Sequence, residues 1–353
     1  MTFLSGPHAG IAAALGAALL FGVGTPLAKL RLAGTDPWLL AGLLYAGSGV
    51  GITLWRLLRP AATRARLAPG DGRWLAGAVL AGGVVGPVLL MWGLANMPAS
   101  AAALLLNAES VFTAVIAWVV FRENVDRRIF IGMVAIVAGA VVLSWPGGGV
   151  VALDALLPPL AVLGACLAWG IDNNLTRKVA LADATLIASV KGLVAGATNL
   201  GLALMLGAAW PSVTTTGGAL VVGFLAYGVS LVLFVVALRH LGAARTGAWF
   251  GVAPFFGALI AVVGLGEAVT LPLLAAGALM AIGVWLHASE RHEHDHGHEP
   301  LAHEHEHTHD DHHQHAHTPG AALSEPHTHA HLHAPLRHGH PHFPDAHHRH
   351  EHG

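Results

Sequence analysis

Charge is scarce in this chain. Asp, Glu, Lys and Arg make up 11% of its 353 residues, against about 25% in soluble domains. Hydrophobic residues reach 54%, and the mean hydropathy is +0.61. That balance excludes a soluble globular protein. Cysteine occurs once, as Cys166 within an apolar run, so no intramolecular disulfide is possible and cysteine carries no information on compartment. No nucleotide-binding loop or nucleophile–base pairing stands out in the apolar part, which argues against an enzyme. Before the first apolar run there is also no basic n-region. That run is longer than a signal h-region and is followed by Lys29 and Arg31, so it reads as a retained helix.

What is present is a series of ten apolar stretches, over 9–30, 37–57, 74–95, 99–121, 128–146, 153–172, 184–208, 217–238, 243–265 and 269–287. Each is near the length of helix that spans ~30 Å of hydrocarbon. The expected fold is therefore all-α, a polytopic membrane protein of ten transmembrane helices. Loop charge orients it. Arg56, Arg59, Arg64, Arg66, Arg73, Arg122, Arg127, Arg128, Arg177, Lys178, Arg239 and Arg245 fall on one side, and only Lys29 and Arg31 on the other. Basic loops stay cytoplasmic, so both termini are expected in the cytoplasm, in a plasma membrane of the bacterial inner type. Trp38, Trp74, Trp145, Trp210 and Trp285 sit near span ends, as interfacial anchors do.

The stretches repeat. A shift of 144 aligns Phe112 with Phe256, Ile116 with Ile260, Glu123 with Glu267 and Gly139 with Gly283. A shift of 148 matches residues 13–29 to 161–177, with Lys29 opposite Arg177. Each copy then holds five helices. Because five is odd, the second copy enters the membrane inverted, a recurrent transporter design whose substrate site lies near the midplane between the repeats. The Glu-closed runs FTAVIAWVVFRE and FGALIAVVGLGE and the Gly-containing segments IGMVAIVAGAVVL and LAAGALMAIGVWL resemble the drug/metabolite transporter superfamily, specifically a protein with two tandem EamA domains. The resemblance covers residues 10–287. It implies repeats at 9–146 and 153–287, and a secondary transporter, often an exporter, of small metabolites such as amino acids. Residues 288–353 fall outside it.

Polar side chains inside a bilayer are costly and mark pathways. They concentrate in the fourth span (Ser100, Asn107, Glu109, Ser110, Thr113) and the seventh (Ser189, Lys191, Thr198, Asn199). Glu109, near the middle of its span, and Lys191 are candidates for binding substrate or a coupling proton in one cavity. Asp172, Asn173 and Asn174 close the sixth span. They read either as a polar helix terminus or as part of a gate or binding site. Trp249 follows Arg245 and Thr246 and is a candidate to pack on substrate. The candidate substrate-binding set is thus Asn107, Glu109, Asp172, Asn173, Asn174, Lys191, Asn199 and Trp249. Glu123 and Glu267 read as residues that order the turn into the next helix. Pro26, Pro87 and Pro254 mark kinks, tolerated where neighbours satisfy the freed backbone. The fifth and tenth spans carry almost no polar side chains and read as peripheral, or as the contact of a homodimer.

The tail is a different substance, with 23 of the 26 histidines between His292 and His352. It holds too little apolar residue to fold alone and is expected to be disordered. Imidazole suits Zn, Ni, Co and Cu, and HxH spacing offers two nitrogens on one side of an extended chain. The candidate ligands are His292, His294, His296, His298, His303, His305, His307, His309, His312, His313, His315 and His317. The membrane part implies no cofactor. Its expected partners are the lipid bilayer and a small-molecule substrate, with no nucleic acid. A transporter of a small organic metabolite is favoured over a divalent-metal transporter or a metal sensor, because no multiple-carboxylate or HxxxD-type constellation occurs inside the spans.

Overall fold

The computed structural model describes residues 7–58, 67–68, 70–121, 127–145, 153–179 and 182–289, with the backbone of 293–298, 301–307, 327–333 and 336–341. The described chain begins with α1 (Pro7–Leu32), α2 (Pro37–Leu57), α3 (Asp71–Ala78), α4 (Gly86–Ala95), α5 (Ala99–Leu105), α6 (Ala108–Phe121) and α7 (Arg127–Ser144). It continues with α8 (Leu153–Arg177), α9 (Ala184–Met205), α10 (Val213–Val222), α11 (Ser230–Phe250), α12 (Ala253–Leu265) and α13 (Leu271–Ala288). Local chemistry sets the starts. The Asp36 carboxylate accepts from the Trp38 and Leu39 amides at 2.9 and 3.0 Å, Asp183 accepts from Thr185 at 2.8 Å, and Ser212 and Thr270 cap α10 and α13. Each satisfies amides that a helix start leaves unpaired.

Among the described residues, nine helical segments are long and apolar enough to cross a membrane, with Ala253–Leu265 as a shorter apolar helix. Their outward faces are apolar: Leu54, Val119, Val120, Met205, Val213 and Val263 are all exposed. An exposed apolar surface of this extent belongs in lipid, not water. The membrane part of the chain is all-α and polytopic. Within α11 it reverses direction. The Phe234 and Phe250 rings lie 4.9 Å apart, whereas sixteen residues of straight helix would separate them by about 24 Å. The turn expected between the eighth and ninth spans is therefore there, inside a stretch whose backbone stays helical.

Helices approach closely where side chains are smallest. Gly49 of α2 lies against Gly192 and Leu193 of α9, and Gly196 lies against Ala46. Gly192 and Gly196 have the small-xxx-small spacing of close helix pairs in membranes. A Cβ at Gly49 or Gly192 would run into the other helix's backbone. The other tight pair is α7 with α13, through Gly132, Gly139 and Gly283. The homodimer expected through these two helices gains no support, because their small-residue faces are used against each other within the chain.

Two local features recur at the spacing of the repeat. A π-helical turn, Val79–Val85, joins α3 to α4, and another, Gly223–Val229, begins 144 residues later between α10 and α11. Two spans are also broken near mid-length, between α5 and α6 at 106–107 and between α11 and α12 at 251–252. Gly22 packs on Ala253 and Phe256, while Gly170 packs on Phe112 and Thr113.

Beyond α13, β1 (Glu293–His298) pairs antiparallel with β4 (Leu336–Pro341), and β2 (Leu301–His307) with β3 (His327–His333). The sequence leads one to expect no regular structure there. The departure has a physical reason: the tail's two-residue alternation is also the period of a β-strand. His292, His309, His312, His313, His315 and His317 lie outside the described residues, as does Glu123.

Candidate substrate cavity

The fourth span is interrupted where its polar residues lie. The break after Leu105 frees carbonyls, and they find partners at once. The Asn107 amide and its side-chain Nδ2 both donate to Leu104 O at 3.0 Å, and the Cys166 thiol donates to Leu105 O at 3.6 Å. The chain's single cysteine thus serves a helix break. Helix α6 restarts at Ala108, which sets Glu109 in its first turn. There the amide dipoles point their positive end at a carboxylate. Asn173 of α8 donates to Glu109 Oε1 at 2.7 Å and to Thr113 Oγ1 at 3.3 Å.

Beside Asn173 on α8 is Asp172, which meets the second charged group, Lys191 of α9. Lys191 Nζ donates to Asp172 Oδ1 and Oδ2 at 2.5 and 2.6 Å and to Thr176 Oγ1 at 3.2 Å, and Thr176 in turn donates to Asp172 at 2.8 Å. Asp172 and Lys191 are 5% and 4% exposed, so this is a buried ion pair. Removing either member alone would strand a charge away from water. The pair sits directly against the first π-helical turn. A Cβ on Gly82 would overlap the Asp172 carboxylate, so glycine is what lets the carboxylate lie there.

That turn supplies the rest of the geometry. Pro87 has no N–H, and its ring position faces the carbonyls of Gly82 and Gly83, five and four residues back. Both are served by side chains instead. Gly82 O accepts from Tyr45 Oη at 2.8 Å and Trp169 Nε1 at 2.9 Å, and Gly83 O accepts from Asn199 Nδ2 at 2.9 Å. Next to Pro87 the helix takes a π-helical turn, and three side chains replace the missing donor. Phe21 then packs on Trp169, Tyr227 and Phe250 at centroid distances of 6.0, 5.9 and 5.4 Å.

These groups enclose one cavity. Counting its open mouth, about 700 Å³ lies between Phe21, Tyr45, Glu109, Trp169, Asp172, Asn173, Thr176, Lys191, Tyr227, Ser230, Phe234 and Phe250, among others. It lies in the half of the bundle nearer the basic loops, since Thr176 directly precedes Arg177.

Five of the eight sequence candidates gather at or beside the cavity in defined roles. Glu109, Asp172, Asn173 and Lys191 line it, and Asn174 anchors the α8 wall to the carbonyls of Thr113 and Gly170 at 3.1 and 2.9 Å. The other three do not line it. Asn107 is held at the helix break, Asn199 serves Gly83, and Trp249 packs with Ala13, Ala14, Ala237 and Leu241. Its neighbour Phe250 faces the cavity instead, because one residue along a helix turns the side chain by about 100°. Asp172 belongs to the cavity wall and not to a solvated terminus, because α8 continues to Arg177. Residue patterning did not single out Tyr45, Trp169, Thr176 or Tyr227. The available signal was Pro87, whose orphaned carbonyls require donors.

The far end of the bundle is tied across elements. Both oxygens of Glu267 accept from the start of α5, from the Ala99 amide at 2.7 Å and the Ser100 amide at 2.8 Å. Lys29 Nζ donates to Leu94, Ala95 and Met97 carbonyls at 2.5, 3.3 and 3.0 Å. Glu267 therefore does not order its own turn, as expected from sequence, but caps a helix 167 residues away. Partial burial alone would push the Glu267 carboxyl up. The Ser100 and Ala99 donors and the Lys29 charge outweigh burial, and hold it below the usual carboxylate range. At the basic end Arg56 meets Asp183 at 3.3 Å.

A bundle of apolar membrane helices around a cavity with buried charge fits an integral membrane transporter of small molecules. The comparisons agree. Residues 8–145 match the EamA-like transporter family. It is 28% identical over 285 residues to an uncharacterized transporter of Methanothermobacter thermautotrophicus, covering 76% of this chain and 83% of the relative. It is also 27% identical over 202 residues to a probable terminal-alkyne amino-acid exporter of Streptantibioticus cattleyicolor, covering 56% of this chain and 67% of that protein. One crystal structure shares the fold with a TM-score of 0.61 at 19% identity, covering 78% of this chain and 94% of that one. These relatives point to a transporter and not to an enzyme.

Proposed function

We propose that the chain is a secondary transporter that exports a small zwitterionic metabolite, an amino acid or a close relative, by alternating access between two inverted EamA repeats at 9–146 and 153–287. The observation that carries this reading is the cavity wall itself, which presents a carboxylate, Glu109, and an ammonium, Lys191, among aromatic rings. A substrate carboxylate displaces Asp172 from Lys191, and the substrate ammonium takes Glu109 and the released Asp172. The aromatic rings receive the remaining apolar part. Glu109 is also the coupling group, taking up and releasing a proton within the cycle. The name of the Streptantibioticus cattleyicolor relative supports an amino acid as cargo. The 144-residue spacing of the π-helical turns supports the repeat.

The loop-charge bias supports an inner-membrane orientation with both termini cytoplasmic. On that orientation the cavity lies in the cytoplasmic half and the Lys29 and Glu267 contacts close the external side, an inward-facing arrangement. Divalent metal is disfavoured as cargo, because both oxygens of the Asp172 carboxylate that would ligate it are already held by the Lys191 ammonium. Counterflow of labelled amino acids into liposomes tests the reading. Glu109→Gln is expected to abolish the pH dependence of flux, and Lys191→Ala to abolish flux. Wild-type flux of zinc with none of any amino acid would overturn it.

A further inference from the structure

The two ladders of the tail share one register. Partners run from Glu293↔Pro341 through His298↔Leu336 to Leu301↔His333 and His307↔His327 without a slip. Each arm carries a proline between its strands, Pro300 and Pro335, and proline has no N–H to give a ladder. Across this register histidine meets histidine five times: His294↔His340, His296↔His338, His303↔His331, His305↔His329 and His307↔His327. Residues directly opposite share a face of an antiparallel pair, and positions two apart on one strand share it too.

The histidines change parity between the ladders, from even numbers in β1 to odd in β2. The other arm makes the same change, from odd in β3 to even in β4. Had only one arm changed, histidines would face Gly, Ala or carboxylate positions. The acidic residues Asp295, Glu304 and Glu306 hold the intervening register positions, opposite Gly339, Ala330 and Thr328. The register thus sets histidine opposite histidine and leaves the acidic residues at the alternate positions. Imidazole selects zinc, nickel, cobalt or copper over magnesium and calcium, and two neighbouring pairs supply the four donors of a tetrahedral site.

We propose that the tail is a binding site for divalent transition metal built jointly by its two arms, with ligands drawn from both members of each cross-strand histidine pair. His327, His329, His331, His338 and His340 are then ligands on a par with those of the first arm. Because neutral imidazole is the donor, protons compete as pH falls through about 6.5.

The test uses the full-length protein in detergent, titrated calorimetrically with zinc and with nickel, and with magnesium as the control ion. Three variants are compared: His303, His305 and His307 all changed to Asn, His327, His329 and His331 all changed to Asn, and the two sets together. Loss of either set is expected to raise the apparent Kd for zinc at least tenfold, with the combined variant little worse than either. If each set alone leaves half the sites at unchanged affinity, the joint site is overturned. Spin labels on Glu306→Cys and Thr328→Cys give a second reading. A short, narrow distance in the presence of zinc supports the pairing, and a broad, long one overturns it.

Discussion

The two broken spans are the same device used for different ends. At 106–107 the chain restarts with Ala108, Glu109 and Ser110, and at 251–252 it restarts with Ala253, Pro254 and Phe255. The helix that follows each break packs on a glycine of a long helix, Gly170 in one case and Gly22 in the other. A second correspondence lies two residues along each long helix. Asp172 lies against Gly82, whereas Gly24 lies against Ala226. Where a helix carries the carboxylate, its neighbour has given up its Cβ. These backbone features recur, whereas the charged groups of the cavity come from one side of the comparison, from α6, α8 and α9. On the proposed repeat, the second copy serves as the wall of a single site.

The strongest way to break this comparison is to remove the charge on that side. Lys191→Ala leaves the Asp172 carboxylate buried and unpaired, a loss of about 3–5 kcal/mol for pairs of this kind. The variant is expected to melt far below the parent in detergent and to show no counterflow. Lys191→Met combined with Asp172→Leu should recover most of the stability, since apolar replacement of a whole buried pair is often neutral. Flux should remain absent. If the double variant transports normally, the pair is only structural, and the asymmetry between the halves has no bearing on the site.

Substituting the two small partners sharpens the comparison. Gly82→Ala forces a Cβ against Asp172, which Lys191 and Thr176 already hold, and overpacking of this kind costs about 1–3 kcal/mol. Flux should fall about tenfold while the protein still assembles. Ala226→Gly, at the matching place in the other copy, should change flux less than about twofold. Equal effects at both positions would show the difference between them to be irrelevant to transport.

A smaller effect is expected from Pro87→Ala, which restores a backbone donor near the carbonyls of Gly82 and Gly83. Asn199→Ala should then cost less than it does in the parent, because Gly83 O has an alternative partner. A double-mutant cycle on chemical unfolding should give a coupling of about 1 kcal/mol. Strict additivity would separate Pro87 from these carbonyls.

Most of the fold was legible because its determinants are local. Apolar length gives the spans, and the 144-residue echo is the spacing at which the π-helical turns recur. Glu109 and Lys191 were legible because charge within a span is rare. Their partners were not. Lys191 is nineteen residues from Asp172 and sixty-four separate Asn173 from Glu109, so only the packing of α8 on α6 and of both α8 and α9 on the first π-helical turn brings them together. Trp249 was chosen over Phe250 for its polar neighbours, but helix rotation decides which ring faces the cavity. Trp169 was hidden for another reason. Its role depends on a carbonyl left free by Pro87, eighty-two positions away in sequence.

The mildest test concerns the closed end, where the halves are joined and not contrasted. Glu267 is charged in its contacts with Ala99 and Ser100, and those donors keep its folded-state pKa below the usual range. A depressed carboxylate pKa adds stability that is present above the unfolded value of about 4.3 and is lost as pH falls through the folded value. Between pH 7 and 5 this contribution should be constant, and acid should remove it. Glu267→Gln should lower stability by about 0.5–1 kcal/mol at neutral pH, as loss of a helix cap does, and should be indistinguishable from the parent in strong acid. Unfolding midpoints measured from pH 7 down to pH 3 decide it. A difference that persists undiminished at pH 3 would mean that Glu267 acts through packing and not through its charge, and the tie between the end of the second half and the start of α5 would not be electrostatic.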